Sequence, residues 1–279
     1  MSWLVFALAA WLGGWALNVW LARRGDRRAV QIAVPVIFGL TLIVIWEALV
    51  RSFGVSPVIL PPPTMVVQTF ASSTDILWVD FQQTVLKGAL RGYLIGAVAA
   101  LVTAIAIDRS AFLTRGLLPI GNFVAALPIV GIAPILVGWF GFDWQSKAAV
   151  VVVMVFFPIL VNTVQGLAEA SAMQRDLMRT YAAGYWQTLW RLRLPAAMPF
   201  LFNGFKIATT LALIGAIVAE YFGSPTRGMG FRISTGVGSL SIDLVWAEIA
   251  VAALAGTAFY GLVAFVERRV TFWHPSQRG

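Results

Sequence analysis

The sequence predicts an all-α fold, a polytopic bundle of membrane-crossing helices, and three observations carry that prediction. Hydrophobic residues make up 59% of the 279 and charged residues 11%, with a mean hydropathy of +0.84. A soluble domain has roughly a quarter of its residues charged, so this chain has less than half the usual supply. Several apolar runs reach the ~18–20 residues a helix needs to cross ~30 Å of hydrocarbon. The basic residues gather in the connectors between those runs, so the net charge of +8 reads as a loop-charge bias rather than as nucleic-acid binding. There are no cysteines, and the one histidine, His274, lies in the C-terminal tail. Disulfides and a histidine–cysteine metal cluster are thereby excluded, and no metal site is expected.

The first apolar run, Trp3–Leu21, is followed at once by Arg23, Arg24, Arg27 and Arg28. A secretory signal puts its positive charges before the apolar core, so an uncleaved span is the better reading. Residues 1–28 form an extra N-terminal helix and basic turn, and residues 29–279 the main membrane domain. The second span is about Ala29–Val50, with Pro35 in its first turns, where proline is tolerated. LPPPT at Leu60–Thr64 forces an extended or turning segment, and a short amphipathic interfacial helix is expected from Thr64 to Phe81. Further spans are expected at about Thr84–Ile107, Gly116–Phe140, Lys147–Gln165, Asn203–Phe222 and Leu244–Val266. The fourth carries Pro119, Pro128 and Pro134, which predicts a kinked or broken helix: either simply bent, or lining a pathway.

Seven spans put the two termini on opposite sides. With the C-terminus inside, the inner connectors hold Arg23, Arg24, Arg27, Arg28, Arg109, Arg115, Arg175, Arg179, Arg191, Arg193, Arg268, Arg269 and Arg278. The outer ones hold only Arg51, Lys147, Arg227 and Arg232. This asymmetry predicts an outside N-terminus, a cytoplasmic C-terminus and a cytoplasmic Gly166–Pro199 connector.

That connector has a pattern of its own. Over Met173–Trp190, Leu177, Tyr181, Tyr185 and Leu189 recur every four residues, with Met178, Ala182, Trp186 and Trp190 alongside and Arg175, Arg179, Gln187 and Arg191 opposite. Such spacing predicts one amphipathic helix, ended by Leu194-Pro195. Periodicity leaves its role open between lying on lipid or on its own spans and docking onto a soluble partner.

The order Asp176-Leu-Met-x-x-x-Ala182, nine residues, then Leu192-x-Leu194-Pro195 resembles the cytoplasmic signature of importer permeases of the ATP-binding-cassette superfamily. That signature reads E-A-A, three residues, G, nine residues, I-x-L-P. Its spacing is kept, whereas Asp stands for Glu, Leu177-Met178 for Ala-Ala and Ala182 for Gly. PVILPPPT, LPIVGIAPILVGWFG, FPILVNTVQGL, YWQTLWRLRLPAAMP and VAEYFGSPTRGMGF are similar to the sulfonate, taurine and nitrate branch, and the resemblance runs from about Pro57 to Val270. It implies a six-span type I importer core with one added N-terminal span in the bacterial inner membrane. A second permease copy, two separate cassette ATPases that carry the ATP and Mg²⁺, and an extracytoplasmic binding protein are implied as partners. This chain has no G-x-x-x-x-G-K-[ST] loop, so it is not the ATPase, and it binds no cofactor itself. Asp176, Arg179, Ala182, Gly184, Trp186, Leu192 and Pro195 would form the coupling contact, with Asp176 meeting a basic group and Ala182 standing where glycine allows close approach.

Glu47, Lys87, Arg91, Glu220 and Glu248 fall toward the outer ends of their spans. Ionisable groups at that depth are paired or hydrated, which makes these five either mutual ion pairs or an external gate and landing site for the binding protein. Two other classes compete with an importer permease. An ion-driven secondary transporter would place charges mid-span and show an inverted repeat, neither of which is seen. A non-transporting scaffold would purify without an ATPase. The cargo is expected to be a small organic or anionic solute, and the aromatic, weakly charged spans lean toward a neutral or heterocyclic one.

Overall fold

The apolar runs are helices. The computed structural model describes residues 2–23, 28–110, 112–113, 116, 121, 127–223 and 226–273. Six helices among them are long and apolar enough to cross a membrane: Trp3–Ala22, Ala29–Phe53, Thr74–Arg109, Trp144–Ala168, Tyr185–Gly223 and Ile242–Val270. The first half of the expected fourth span, with Pro119, lies largely outside the described residues, as do Arg24, Arg27, Arg115, His274 and Arg278. Its second half is a 12-residue helix, Ile129–Phe140, entered through Pro128 and containing Pro134.

In chain order the elements are α1 (Ser2–Ala22), α2 (Arg28–Phe53), α3 (Pro63–Ser72), α4 (Thr74–Phe81), a π-helical stretch (Gln82–Ala89) and α5 (Leu90–Arg109). Then follow α6 (Ile129–Phe140), α7 (Trp144–Ala168), α8 (Ala172–Thr180), α9 (Tyr185–Thr188) and a second π-helical stretch (Leu189–Arg193). The chain ends in α10 (Leu194–Gly223), α11 (Met229–Gly238) and α12 (Ile242–Val270).

Two expectations are corrected. The interfacial helix over Thr64–Phe81 is two helices, and the second runs without a break into the third span. Asp80, Thr84, Gly88, Gly92, Gly96, Ala100 and Ala104 are all buried along that run. A strict spacing of four drifts around a 3.6-residue helix, and the wider turns of the π stretch take up part of the drift, which keeps one face inward. The connector helix over Met173–Trp190 is likewise broken, between Thr180 and Tyr185. Leu194-Pro195 does not end it; those residues sit inside the helix that continues to Gly223. Pro195 has no N–H to give the carbonyl four residues back, and the π turn just before it, closed by Leu194 N–H to Leu189 O, carries the chain past that gap.

The chain divides into two compact units, residues 1–77 with 235–249 and residues 78–234 with 250–279. In the first, α1 pairs with α2 and Gly14 abuts Thr41, Trp46 and Trp246 rings lie 4.7 Å apart, and the Thr69 hydroxyl donates to Asp243 at 2.7 Å. In the second, α7 is the central helix, packed chiefly by α10 and α5. Ala97, Ala100, Ala104, Ala208, Ala212 and Ala216 form the buried contact surface around Val151, Val155 and Ile159. Small residues of this kind let helices approach where lipid supplies no hydrophobic drive. The approach is close at Gly92, where an added Cβ would lie 2.9 Å from the Ala148 carbonyl oxygen. An ion pair, Lys206 to Glu267 at 2.7 Å, ties α10 to the end of α12.

Candidate functional site

The connector between α7 and α10 is built from local hydrogen bonds. Ser171 caps α8: its hydroxyl accepts from Gln174 N–H at 3.2 Å, while Gln174 Oε1 accepts from Ser171 N–H at 2.9 Å. This reciprocal box satisfies two donors that helix geometry otherwise leaves bare. Arg175 donates to the Ala170 carbonyl at 2.6 Å and fixes the approach to the helix.

At the other end, Ala182 N–H bonds Arg179 O and Ala183 N–H bonds Met178 O, with Ala182 at φ +52°. These are the two bonds of a Schellman closure, whose left-handed residue is usually glycine. The physical reason for glycine at this point of the signature is therefore a helix C-cap. Alanine bears a Cβ penalty of roughly 1–2 kcal/mol in that conformation. Ala182→Gly is expected to raise connector stability by about 1 kcal/mol and Ala182→Val to lower it, measured as protease resistance of the connector in the folded protein. Gly184 follows as the N-cap of α9, its N–H held by Gln187 Oε1 at 3.1 Å.

No residue of α8 is buried. Met173, Leu177 and Tyr181, four apart, are 83%, 56% and 76% exposed, and Trp186 and Trp190 are exposed as well. Among the described residues Asp176 pairs only with Arg179, at 3.1 Å on the open surface. Leu192 and Pro195 are half-buried at the base of α10.

What fastens this exposed element is Asp108, at the end of α5. Arg193 grips both of its oxygens, at 2.7 and 2.5 Å, and also donates to the Leu167 carbonyl at 2.9 and 2.8 Å. The Tyr185 hydroxyl donates to the same carboxylate at 2.8 Å. Arg109 lies 5.0 Å from the Tyr185 ring and 5.6 Å from that of Trp186. Beneath them Leu189 is buried against Leu167, Ala197 and Leu201. Sequence reading missed Asp108. Its signal was slight: the one carboxylate between Thr84 and Ser110.

The five charges expected at the outer span ends do not form one constellation within either unit. In the first unit Glu47 binds Arg51 at 2.5 Å and accepts from Thr64 N–H at 3.0 Å, and Glu248 is fully buried. In the second, Lys87 and Arg91 are exposed and make no ion pair with Glu220. Glu220 is instead buried in a network that sequence reading did not assemble. Thr84 donates to it at 2.6 Å and accepts from Met229 N–H at 2.8 Å; Gly230 N–H also reaches Glu220, at 3.2 Å. Asp80, fully buried, accepts from Gly228 N–H at 2.6 Å and Arg232 at 2.8 Å. Lys147, placed by sequence in an outer loop, is buried too, bonding the carbonyls of Phe142 and Gly223. Among the described residues no cluster of His, Asp and Glu side chains could hold a metal ion.

Residues 92–272, which include the connector and the Asp108 that fastens it, match the family described as "Binding-protein-dependent transport system inner membrane component". The chain is 30% identical to the formylaminopyrimidine transport permease of Halalkalibacterium halodurans, over 90% of this chain and 100% of that one. It is 31% identical to the riboflavin transport system permease of Chloroflexus aurantiacus, over 84% and 88%. It is 27% identical to the taurine transport system permease of Escherichia coli, over 84% and 86%. With its family signature, helix set and these relatives in agreement, the chain belongs to the binding-protein-dependent inner-membrane permeases of ATP-binding-cassette importers, as a multi-pass, non-catalytic transport component.

Proposed function

We propose that the Gly166–Pro199 connector is the surface through which a separate cassette ATPase drives this permease. The observation that carries the reading is the apolar row Met173, Leu177 and Tyr181, left open on a helix capped at both ends and fastened to the span ends through Arg193 and Asp108. A rigid amphipathic helix laid in a groove of a partner transmits displacement, whereas a loose loop would absorb it. Asp176 is open to a basic group of the ATPase, because its pair with Arg179 is solvent-exposed and weak. The basic-residue asymmetry supports a cytoplasmic connector and C-terminus with the N-terminus outside. In this reading two copies of the chain enclose the path, two ATPases hold the ATP and Mg²⁺, and an extracytoplasmic binding protein supplies the cargo. The names of the relatives support a small organic cargo, heterocyclic or anionic.

Co-purification from membranes tests the coupling. Asp176→Arg and Leu177→Asp are each expected to leave the permease at wild-type membrane levels while weakening ATPase association about tenfold, the effect of losing an interface anchor. Full association in both variants would show that the ATPase docks elsewhere.

A further inference from the structure

The second unit carries a feature that the coupling reading does not use. Lys87, in the last turn of the first π stretch, and Arg91, in the first turn of α5, stand four residues apart and are both exposed. Neither forms an ion pair among the described residues. The Arg91 guanidinium lies 5.0 Å from the ring of Trp144, at the start of α7. That ring is also a wall of an open groove of about 520 Å³ between α5, α6 and α7, lined by Ile95, Trp139, Phe140, Trp144, Ala148 and Val152. Ile95 continues the row of Lys87 and Arg91 by four more residues, so cations and groove share one helix face. Gln145 is the sole polar side chain in the lining.

The two halves of this site ask for different chemistry at the two ends of one ligand. The groove falls within the roughly 300–1,000 Å³ range of small-ligand sites and suits an aliphatic chain. Arg91 stands beside it, held in place by the Trp144 ring with its N–H fork still free for an anion, and Lys87 is a second exposed cation four residues back on the same helix face. An apolar helix laid into the groove would fill it and leave both cations without counter-charge. A phosphodiester headgroup with its acyl chain satisfies both ends. Aromatic and basic side chains together are also how membrane proteins meet the headgroup layer. We propose that Lys87, Arg91 and the Ile95–Trp144 groove form a binding site for one anionic phospholipid.

The test is lipid retention by the full chain, reconstituted in nanodiscs of equal phosphatidylglycerol and phosphatidylcholine, transferred to detergent and weighed by native mass spectrometry. Wild type is expected to keep one phosphatidylglycerol in preference to phosphatidylcholine. Lys87→Gln with Arg91→Gln should cut that preference roughly 30-fold, about fivefold per cation, and Arg91→Lys should keep it. Ile95→Trp should lower retention of both lipids by filling the groove. Equal retention of the two lipids by wild type would overturn the proposal, and that outcome does not depend on any variant folding. Retention unaltered by the double substitution would also overturn it. So would disulfide crosslinking of Ile95→Cys chains to each other, which would make the groove a contact between copies. None of these readouts involves the ATPase, so the coupling reading stands or falls separately.

Discussion

Arg193→Ala is expected to abolish coupled ATP hydrolysis while sparing membrane insertion. The side chains of Arg193 and Asp108 are only 16% and 13% exposed, so the alanine variant strands a carboxylate in a largely dry site. Removing one partner of such a pair costs about 3–5 kcal/mol, most of it the penalty of the charge left behind. The loss does not end with the pair. Arg193 also supplies two hydrogen bonds to the Leu167 carbonyl, so α7 loses its tie to α5 and the base of α10, and Asp108 is left with the single hydroxyl donor Tyr185. A connector freed in this way can still touch an ATPase but cannot hold the orientation that transmits its movement. The expected record is normal permease abundance, faster proteolysis between Gly166 and Tyr185, and transport-coupled ATPase activity down by at least tenfold in the solubilised complex. Adding Asp108→Asn should recover part of the stability, because no unpaired charge then remains. Wild-type coupling in Arg193→Ala would show that the latch is not what positions the connector.

Residues whose partners are near in sequence, or are simply lipid, were legible beforehand. Composition and run length locate four of the six spans to within a few residues of their observed ends, but place the starts of Thr74–Arg109 and Tyr185–Gly223 too late, at Thr84 and Asn203; the exposed row on α8 is visible as a spacing of four. What was not legible depends on partners far along the chain or on backbone torsion. Asp108 meets Arg193 across 85 residues, and one sequence without its relatives has no signal that joins them. Lys147 reads as an ordinary loop cation until two carbonyls are placed around it, one of them 76 residues away. The break at Ala182 is hidden because alanine is the best helix former; only the left-handed torsion of that position marks a C-cap. Both π stretches are invisible to an analysis that assumes 3.6 residues per turn. They decide, even so, which residues face inward beyond Asp80 and how the chain passes Pro195.

Gly230→Ala is expected to be the most damaging single methyl addition in the second unit. A Cβ at this position would fall on the Ile217 carbonyl oxygen and 2.8 Å from the Tyr221 nitrogen, both backbone atoms of α10 that cannot swing aside. Relief requires the start of α11 to lift away from α10. That movement breaks a set of bonds at once: Gly230 N–H to Glu220, Met229 N–H to Thr84, and Gly228 N–H and Arg232 to Asp80. Asp80 is the costly member. It is fully buried, and the last two of these, Gly228 N–H and Arg232, are its donors, so the shift leaves a buried carboxylate poorly solvated. Overpacking and loss of a buried polar network together cost about 4 kcal/mol, a fall of roughly 10 °C in the midpoint of thermal aggregation in detergent. Gly238→Ala is the matched control. It lies in the same helix, with nothing within 4 Å of an added Cβ, and the helix gains propensity from the change. If α11 is held by the Glu220–Thr84–Asp80 network, the first variant collapses and the second is unharmed. Equal midpoints for the two would mean that α11 yields freely, and that the buried carboxylates are solvated by something other than its backbone.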